Sequence, residues 1–200
     1  MKTEIEVKFL DVNHDELRAK LRALGAVCEQ PMRDMRRAIF ATPEMDEERN
    51  AYIRVRDEGD KVTVTYKHFA ELSLTGASEL ETTVGDFDTM VGIMRATGMR
   101  QRAYQESRRE TWHFDDTEVV LDEWPWLNSY IEIEGRTEDG VRNTAKLLGF
   151  EWNEAVFGAV TQIYEAEYPG TQASDIILEP IIKFDAPLPD ILKVGARASS

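Results

Sequence analysis

The sequence predicts an α+β protein built on an antiparallel sheet. Three observations point there: short segments alternate apolar and charged residues, tight turns join neighbouring segments, and amphipathic helices lie between them. Thr3 to Leu10 is the first strand, with Ile5, Val7 and Phe9 on one face and Glu4, Glu6 and Lys8 on the other. Asn13 followed by Glu16 reads as a capping box, Leu17, Leu21 and Leu24 form the stripe of the helix it opens, and Gly25 ends it. Val27 to Phe40 is extended with a break at Pro31, and Thr42 to Asn50 is a polar loop. Ala51 to Arg56 and Lys61 to His68 form a hairpin across Asp57-Glu58-Gly59-Asp60, and Ser78 to Val84 adds a strand. Asp86 caps a helix with Met90, Ile93 and Met94 inward and Gly98 at its end. Strands follow at Gln101 to Phe114, Glu118 to Glu123 and Tyr130 to Arg136, the last two joined through Trp124-Pro125-Trp126. Thr137 starts a helix with Val141, Ala145 and Leu148, ended by Gly149, and a further helical stretch covers Glu154 to Glu167.

The 200 residues suit one body over 1–169 and an extended C-terminal extension over 170–200, which carries Pro180, Pro187 and Pro189. That extension is expected to pack through Ile176, Ile177, Leu178 and Ile181 and to end in a disordered GARASS segment. With 24 basic against 38 acidic residues the net charge is −14, which argues against binding nucleic acid or an anionic membrane by bulk attraction. The single Cys28 excludes an intrachain disulfide, a zinc ribbon and CxxC redox chemistry. The N-terminus has no apolar signal region and no run is long enough to span a bilayer, so the expected compartment is the cytoplasm. Strand-rich faces and the extension could support a homodimer.

Charge placement is the feature that speaks to function. Glu4-Glu6-Lys8, Arg54-Arg56, Thr65-Lys67, Glu79-Glu81 and Glu132-Glu134 stand at i, i+2 spacing, so each set shares one face of its strand. The opposite faces carry Ile5 and Val7, Ile53 and Val55, Val64 and Tyr66, and Ile131 and Ile133. A single such strand is a solvated face with cross-strand ion pairs. The whole set suggests a sheet curled with its charges inside, where ions persist only if paired, hydrated or matched by a ligand. Clustered Arg and Lys suit polyphosphate, and clustered carboxylates suit a hard cation such as Mg²⁺ or Mn²⁺.

The ordered series of motifs resembles the CYTH superfamily, the triphosphate tunnel metalloenzymes, which include class IV adenylyl cyclases and thiamine, inorganic and RNA triphosphatases. The resemblance is carried by Glu4-Ile5-Glu6-Val7-Lys8, Arg54-Val55-Arg56, Thr63 to Lys67, Glu79-Leu80-Glu81, Arg109, Asp122 and Glu132-Ile133-Glu134, and runs from residue 4 to about 165. It implies a closed antiparallel barrel of eight strands, a tunnel, with helices outside. Lys8, Arg54, Arg56, Lys67 and Arg109 would grip the triphosphate, and Glu4, Glu6, Asp122, Glu132 and Glu134 would hold Mg²⁺ or Mn²⁺. Glu79 and Glu81 would orient the basic side chains or reach a second metal, and Glu4, Glu6, Lys8 and Lys67 would stand closest to the chemistry. The sequence departs from the family at Ser107, where a lysine is usual and where Arg108 is the nearest replacement. It also has Asn128-Ser129-Tyr130 where a glycine commonly precedes the late strand.

The implied activity is a metal-dependent triphosphatase acting on ATP, thiamine triphosphate or inorganic triphosphate. The alternatives are a class IV adenylyl cyclase and a polyphosphate- or nucleotide-binding module with little turnover. Trp124-Pro125-Trp126 reads as a hydrophobic plug ahead of a base-stacking platform. The run Arg33-Asp34-Met35-Arg36-Arg37 reads either as part of the tunnel mouth or as a solvated strand. His14, His68 and His113 show no ligand spacing and are assigned neither to metal nor to catalysis.

Overall fold

The computed structural model describes residues 2–3, 5–47, 51–69, 77–172, 175–176 and 179–196. Its strands are β1 Lys2–Thr3, β2 Ile5–Phe9, β3 Val27–Ala41, β4 Ala51–Asp57, β5 Val62–Phe69, β6 Ala77–Val84, β7 Arg100–Phe114, β8 Thr117–Glu123, β9 Tyr130–Gly135 and β10 Ile181–Ile182. They form one sheet in the order β1-β6-β5-β4-β3-β7-β8-β9-β2, antiparallel throughout except for β10, which pairs in parallel with β7. The helices are α1 His14–Ala23, α2 Pro43–Glu47, α3 Phe87–Ala96, α4 Glu138–Leu148, α5 Val160–Glu167 and α6 Asp190–Ala196, with a 3₁₀ turn at Trp152–Glu154.

The closed barrel expected from the sequence gives way to an open, curled half-barrel whose eight longer strands are β2 to β9. The N-terminal segment divides between the two ends of the sheet. Lys2 and Thr3 pair with Glu79 and Ser78 of β6, whereas Ile5 to Phe9 pair with Gly135 to Ile131 of β9. The other edge of β2 is then occupied by Val156, which exchanges two backbone hydrogen bonds of 2.9 Å with Lys8. A ladder from β2 to β6 is blocked at that point by a residue from beyond α4.

Local signals place the helices. The Asn13 side chain accepts from the N–H groups of Asp15 and Glu16, Asp86 from Thr89, and Thr137 from Gly140. Gly149 ends α4 at φ 89°, a left-handed conformation that costs other residues more. Pro31 lies inside β3 instead of breaking it, because the β3–β7 register shifts across it, between Gln30 and Arg33, and spares the missing donor. The polar loop expected over 42–50 contains α2, and residues 48–50 lie outside the described set. The helix expected over 154–167 starts only at Val160, because Val156 is drawn into the pairing with Lys8 and Gly158 turns at φ 97°.

The apolar faces of the strands point outward, beneath the helices. Val7, Phe9, Val119, Leu121, Ile131 and Ile133 pack against Leu17 and Leu21 of α1 and Val141, Ala145 and Leu148 of α4. Ala38, Phe40 and Val55 pack against Phe87, Val91 and Met94 of α3. The inward stripe of α3 runs through Phe87 and Val91 at i, i+4 spacing, which leaves Ile93 exposed where the sequence placed it inward. A third cluster joins Trp124 and Tyr130 to Ile163, Tyr164, Ile176, Ile182 and Leu192. Within the extension Ile182 is buried and Ile181 is half exposed, the reverse of the expected packing, while Ile177 and Leu178 lie outside the described residues, as does GARASS after Ala196.

Ile182→Ala is therefore expected to lower stability by about 2–4 kcal/mol in chemical denaturation. Ile181→Ala should cost less than about 0.5 kcal/mol. Equal losses for the two would show that β10 does not dock as described.

Candidate active site

Strand alternation sends one set of side chains to the concave face, and the register sorts them into rows. On one side Glu6 of β2 lies opposite Glu134 of β9, and Glu134 opposite Glu118 of β8. In the next row Lys8 faces Glu132, and beyond it Tyr130 faces Asp122, which faces Arg109 of β7. On the other side Arg37 of β3 lies opposite Arg56 of β4. Arg54 faces Thr65, which faces Glu81, and Tyr52 faces Lys67, which faces Glu79. The two sides enclose a cavity of about 470 Å³. Its wall on β2, β8 and β9 is rich in carboxylates, and its wall on β3, β4 and β5 is rich in cations.

Most of these ions are paired within the cavity. Lys8 is 2% exposed, with Nζ 2.9 Å from Glu6 and 3.5 Å from Glu132. Burial works against its ammonium group, but Glu6 and Glu132 outweigh that penalty and raise its pKa. Arg109 donates from Nε to Asp122 at 2.8 Å and from Nη2 to Asp122 and to Glu132, the latter at 2.8 Å. Burial likewise opposes ionisation of Glu132, yet Lys8 and Arg109 overcome it and draw the pKa down to about 2. Asp122 is fully buried, and that burial pushes its pKa upward against the pull of Arg109.

On the basic wall Lys67 lies 2.6 Å from Glu79 and Arg56 lies 2.6 Å from Glu58. Arg54 donates to Thr65 Oγ1 at 3.3 Å and stands 3.8 Å from Glu81, while Thr65 donates to Glu81 at 2.7 Å. Burial and the neighbouring Arg54 lower the Arg56 pKa to about 10. Glu6, Lys8, Arg54, Arg56, Lys67, Glu79, Glu81, Arg109, Glu132 and Glu134 thus all border one cavity, with Asp122 directly behind Arg109. Glu4 lies outside the described residues.

Several contributors stand outside the motifs. Arg37 faces the cavity and Arg33 lies 3.7 Å from Glu58, whereas Arg36 turns outward to Asp57, so the basic run divides between both faces by alternation. Arg108 does not replace the lysine missing at position 107: it lies on the outer face, paired with Asp34 at 2.9 Å and set over the Phe184 ring. Trp124 is the buried plug the sequence favoured and also lines the cavity. His113, which has no ligand spacing in the sequence, meets Glu29 and Glu118 from neighbouring strands. Their ligand atoms lie within 4.8 Å of one another, a group that could hold a metal ion.

A hard dication fits the acidic wall by its donor chemistry. Glu6, Glu132 and Glu134 offer only oxygen, in two adjacent rows. Both oxygens of Asp122 accept from Arg109, and the two oxygens of Glu132 lie beside Lys8 and Arg109 in turn.

The paired Glu132 predicts a pH dependence. Its folded pKa lies below the ordinary glutamate value, so the fold favours the ionised form. That contribution is fully present above about pH 4.5 and disappears as the pH falls toward about 2. Glu132→Gln should lower the melting temperature at pH 7, by about 1–3 kcal/mol of stability, and should flatten the acid limb of melting temperature against pH. An unchanged acid limb would show that Glu132 is not held by Lys8 and Arg109.

Comparison with known proteins agrees with this architecture. No curated protein matches the sequence at a significant level. Among solved structures, the PH1012 protein of Pyrococcus horikoshii OT3 is 22% identical, with a TM-score of 0.65 over 76% of this chain and 93% of that one. A candidate adenylate cyclase of Vibrio parahaemolyticus is 11% identical, with a TM-score of 0.69 over 81% of this chain and 97% of its own. HpAC1 of Hippeastrum, a candidate adenylyl cyclase with a dominant triphosphatase activity, is 13% identical, with a TM-score of 0.55 over 80% and 91% of the two chains. These are likenesses of fold. The CYTH domain model matches residues 2–153, most of the chain. The protein belongs to the CYTH family.

Proposed function

We propose that the protein is a metal-dependent triphosphatase that hydrolyses an organic triphosphate in the half-barrel cavity. The observation that carries this reading is the facing of a cationic wall by a carboxylate wall across one space of about 470 Å³. Arg54, Arg56, Lys67 and Lys8 supply the cations a polyphosphate chain needs, and guanidinium forks suit its oxygens. Glu6, Glu132 and Glu134 would hold Mg²⁺ or Mn²⁺. A bound dication supplies charge neutralisation at the phosphate oxygens and a lowered pKa for water.

Within this reading the chain's own groups position and neutralise, which is most of what phosphoryl transfer demands. Lys67 and Lys8 draw the terminal phosphate between the walls, and Glu79 and Glu81 hold the basic side chains in place. A carboxylate of the Glu6–Glu134 pair orients the attacking water. Attack at the terminal phosphorus forms the new P–O bond as the bond to the bridging oxygen breaks, releasing orthophosphate and the diphosphate. Asp122 holds Arg109 in its orientation.

The organic part of the substrate follows from the rest of the lining. Beside its charged groups the cavity is bordered by Ile39, Met45, Tyr52, Val160 and Ile176, which suit a ring system better than water. The same apolar sector supports a second reading, a class IV adenylyl cyclase, in which it would hold adenine while the ribose 3′-hydroxyl attacks the α-phosphorus and pyrophosphate leaves.

Incubation with ATP, thiamine triphosphate and tripolyphosphate, each with Mg²⁺ or Mn²⁺, separates the two. Orthophosphate as the main product, lost in excess chelator, is the expected result. Cyclic AMP with pyrophosphate as the main products from ATP would establish the cyclase, and full turnover in chelator would remove the metal.

Glu6→Gln and Glu134→Gln should each lower kcat at least about tenfold, with the double variant little worse than either, because groups acting as one unit are non-additive. Strictly multiplicative losses would place the two glutamates in separate sites.

A further inference from the structure

The position of Ser107 looks like a cation removed from the grip, yet the neighbouring strand puts one in its place. Arg37 reaches from β3 into the cavity and donates from Nη2 to Ser107 Oγ at 2.7 Å. Its guanidinium is covered on one side by the Trp124 ring, 4.5 Å away, and the residue is only 7% exposed. Its Nε has no hydrogen-bond partner among the described residues. Lys8, Arg56, Lys67 and Arg109 each have a carboxylate beside them, whereas among the described residues Arg37 has none. Its direct cross-strand neighbour is another cation, Arg56.

Like charges set opposite each other on adjacent strands repel, and a buried guanidinium without a counter-ion is costly. Burial first, then Arg54, Arg56 and Arg109, push the Arg37 pKa down to about 9. At contact distance the fold answers this charge with a neutral hydroxyl and the Trp124 ring, and Asp122, held by Arg109, offsets it only in part from further away. A lysine at position 107 would bring an ammonium to the place where Ser107 Oγ now accepts from Arg37, so the small serine and the buried arginine belong together.

We propose that Arg37, oriented by Ser107 and set opposite Arg56, is a phosphate anchor of this cavity and takes over the role of the cation absent at position 107. The inference rests on the triphosphate reading and adds to it a residue that the motifs do not contain. A phosphate group between Arg37 and Arg56 would accept from the free Nε–H, separate the two positive charges and complete the shell of the buried guanidinium. The cost of holding Arg37 unpaired is thereby released on binding, which favours the bound state.

Calorimetric titration of tripolyphosphate, without metal and at several salt concentrations, tests this on the full chain. Arg37→Gln should weaken binding by about tenfold or more, the scale of hydrogen bonds to charged groups. It should also show a shallower salt dependence, while the ligand-free protein melts no lower than wild type. Arg37→Lys keeps the charge, so it should recover the salt dependence with only part of the affinity. Ser107→Ala removes the orienting hydroxyl alone and should weaken binding about threefold with an unchanged salt dependence, a signature that general loss of structure would not give. If Arg37→Gln fails to fold, the Ser107→Ala arm decides. Wild-type affinity in a folded Arg37→Gln, or in Ser107→Ala, would overturn the anchor while leaving the triphosphate reading in place. A wild-type protein that does not bind tripolyphosphate would overturn both.

Discussion

A sheet that turns its charged face inward must find a counter-charge for each ion it buries. Lys8 shows how this one does so. Its ammonium sits between Glu6 on its own strand and Glu132 across the ladder, while its backbone is held by Val156. Removing two charges from water costs several kcal/mol per ion after relaxation, and good geometry is required to recover it. The register provides that geometry, because a slip of one residue would send Glu6 and Lys8 to the outer face beneath α1 and α4. The position of the charges and the pairing of the strands therefore determine each other.

The same constraint explains why the two hydrophobic clusters beneath α1, α3 and α4 lie outside the curl. With carboxylates and guanidinium groups along most of the concave face, most apolar strand positions fall on the convex face under α1, α3 and α4, while Trp124 and Tyr130 build a separate cluster on the concave side. Stability and chemistry are thus assigned to opposite faces of the same strands. Side chains inside can be arranged for a ligand without opening voids in the packed layer. Arg37 illustrates the freedom this allows, since a buried cation facing Arg56 is tolerated on the concave face between the Trp124 ring and the Ser107 hydroxyl.

What was legible in the sequence is what is local. Spacing of two identifies the residues that share a face, so Glu6 with Lys8, Arg54 with Arg56, and Glu132 with Glu134 could be read directly as pairs bordering one space. Their partners across strands could not. Arg37 and Ser107 are 70 residues apart, and nothing near either one marks the bond between them. Glu118 joins the row of Glu6 and Glu134 only through the β8–β9 register. The same holds for closure. A barrel is the natural outcome of curling such strands, but whether the last edge pairs depends on what competes for it, and Val156 comes from a stretch whose sequence reads as helix. Ile182 in place of Ile181 is a one-residue matter of the same kind, settled by the parallel pairing of β10 with Tyr104 and Gln105 of β7.

The open seam also bears on what the cavity can recognise. The family match ends at residue 153, and the residues beyond it both occupy the edge of β2 and contribute Val160 and Ile176 to the lining. On the reading proposed here, the charged rows inside the family domain treat every triphosphate alike, because phosphate oxygens offer them the same acceptors. Discrimination then has to come from the part of the wall that meets the rest of the molecule. Its apolar part is shared between Ile39, Met45 and Tyr52 of the family domain and Val160 and Ile176 from α5 and the segment that follows it. Burial of Ile163, Tyr164, Ile182 and Leu192 against Trp124 and Tyr130 ties this wall to the strands that carry Asp122 and Glu132. On that reading the wall that meets the rest of the substrate is packed against the charged site itself, with Tyr130 of this cluster standing opposite Asp122 across the ladder.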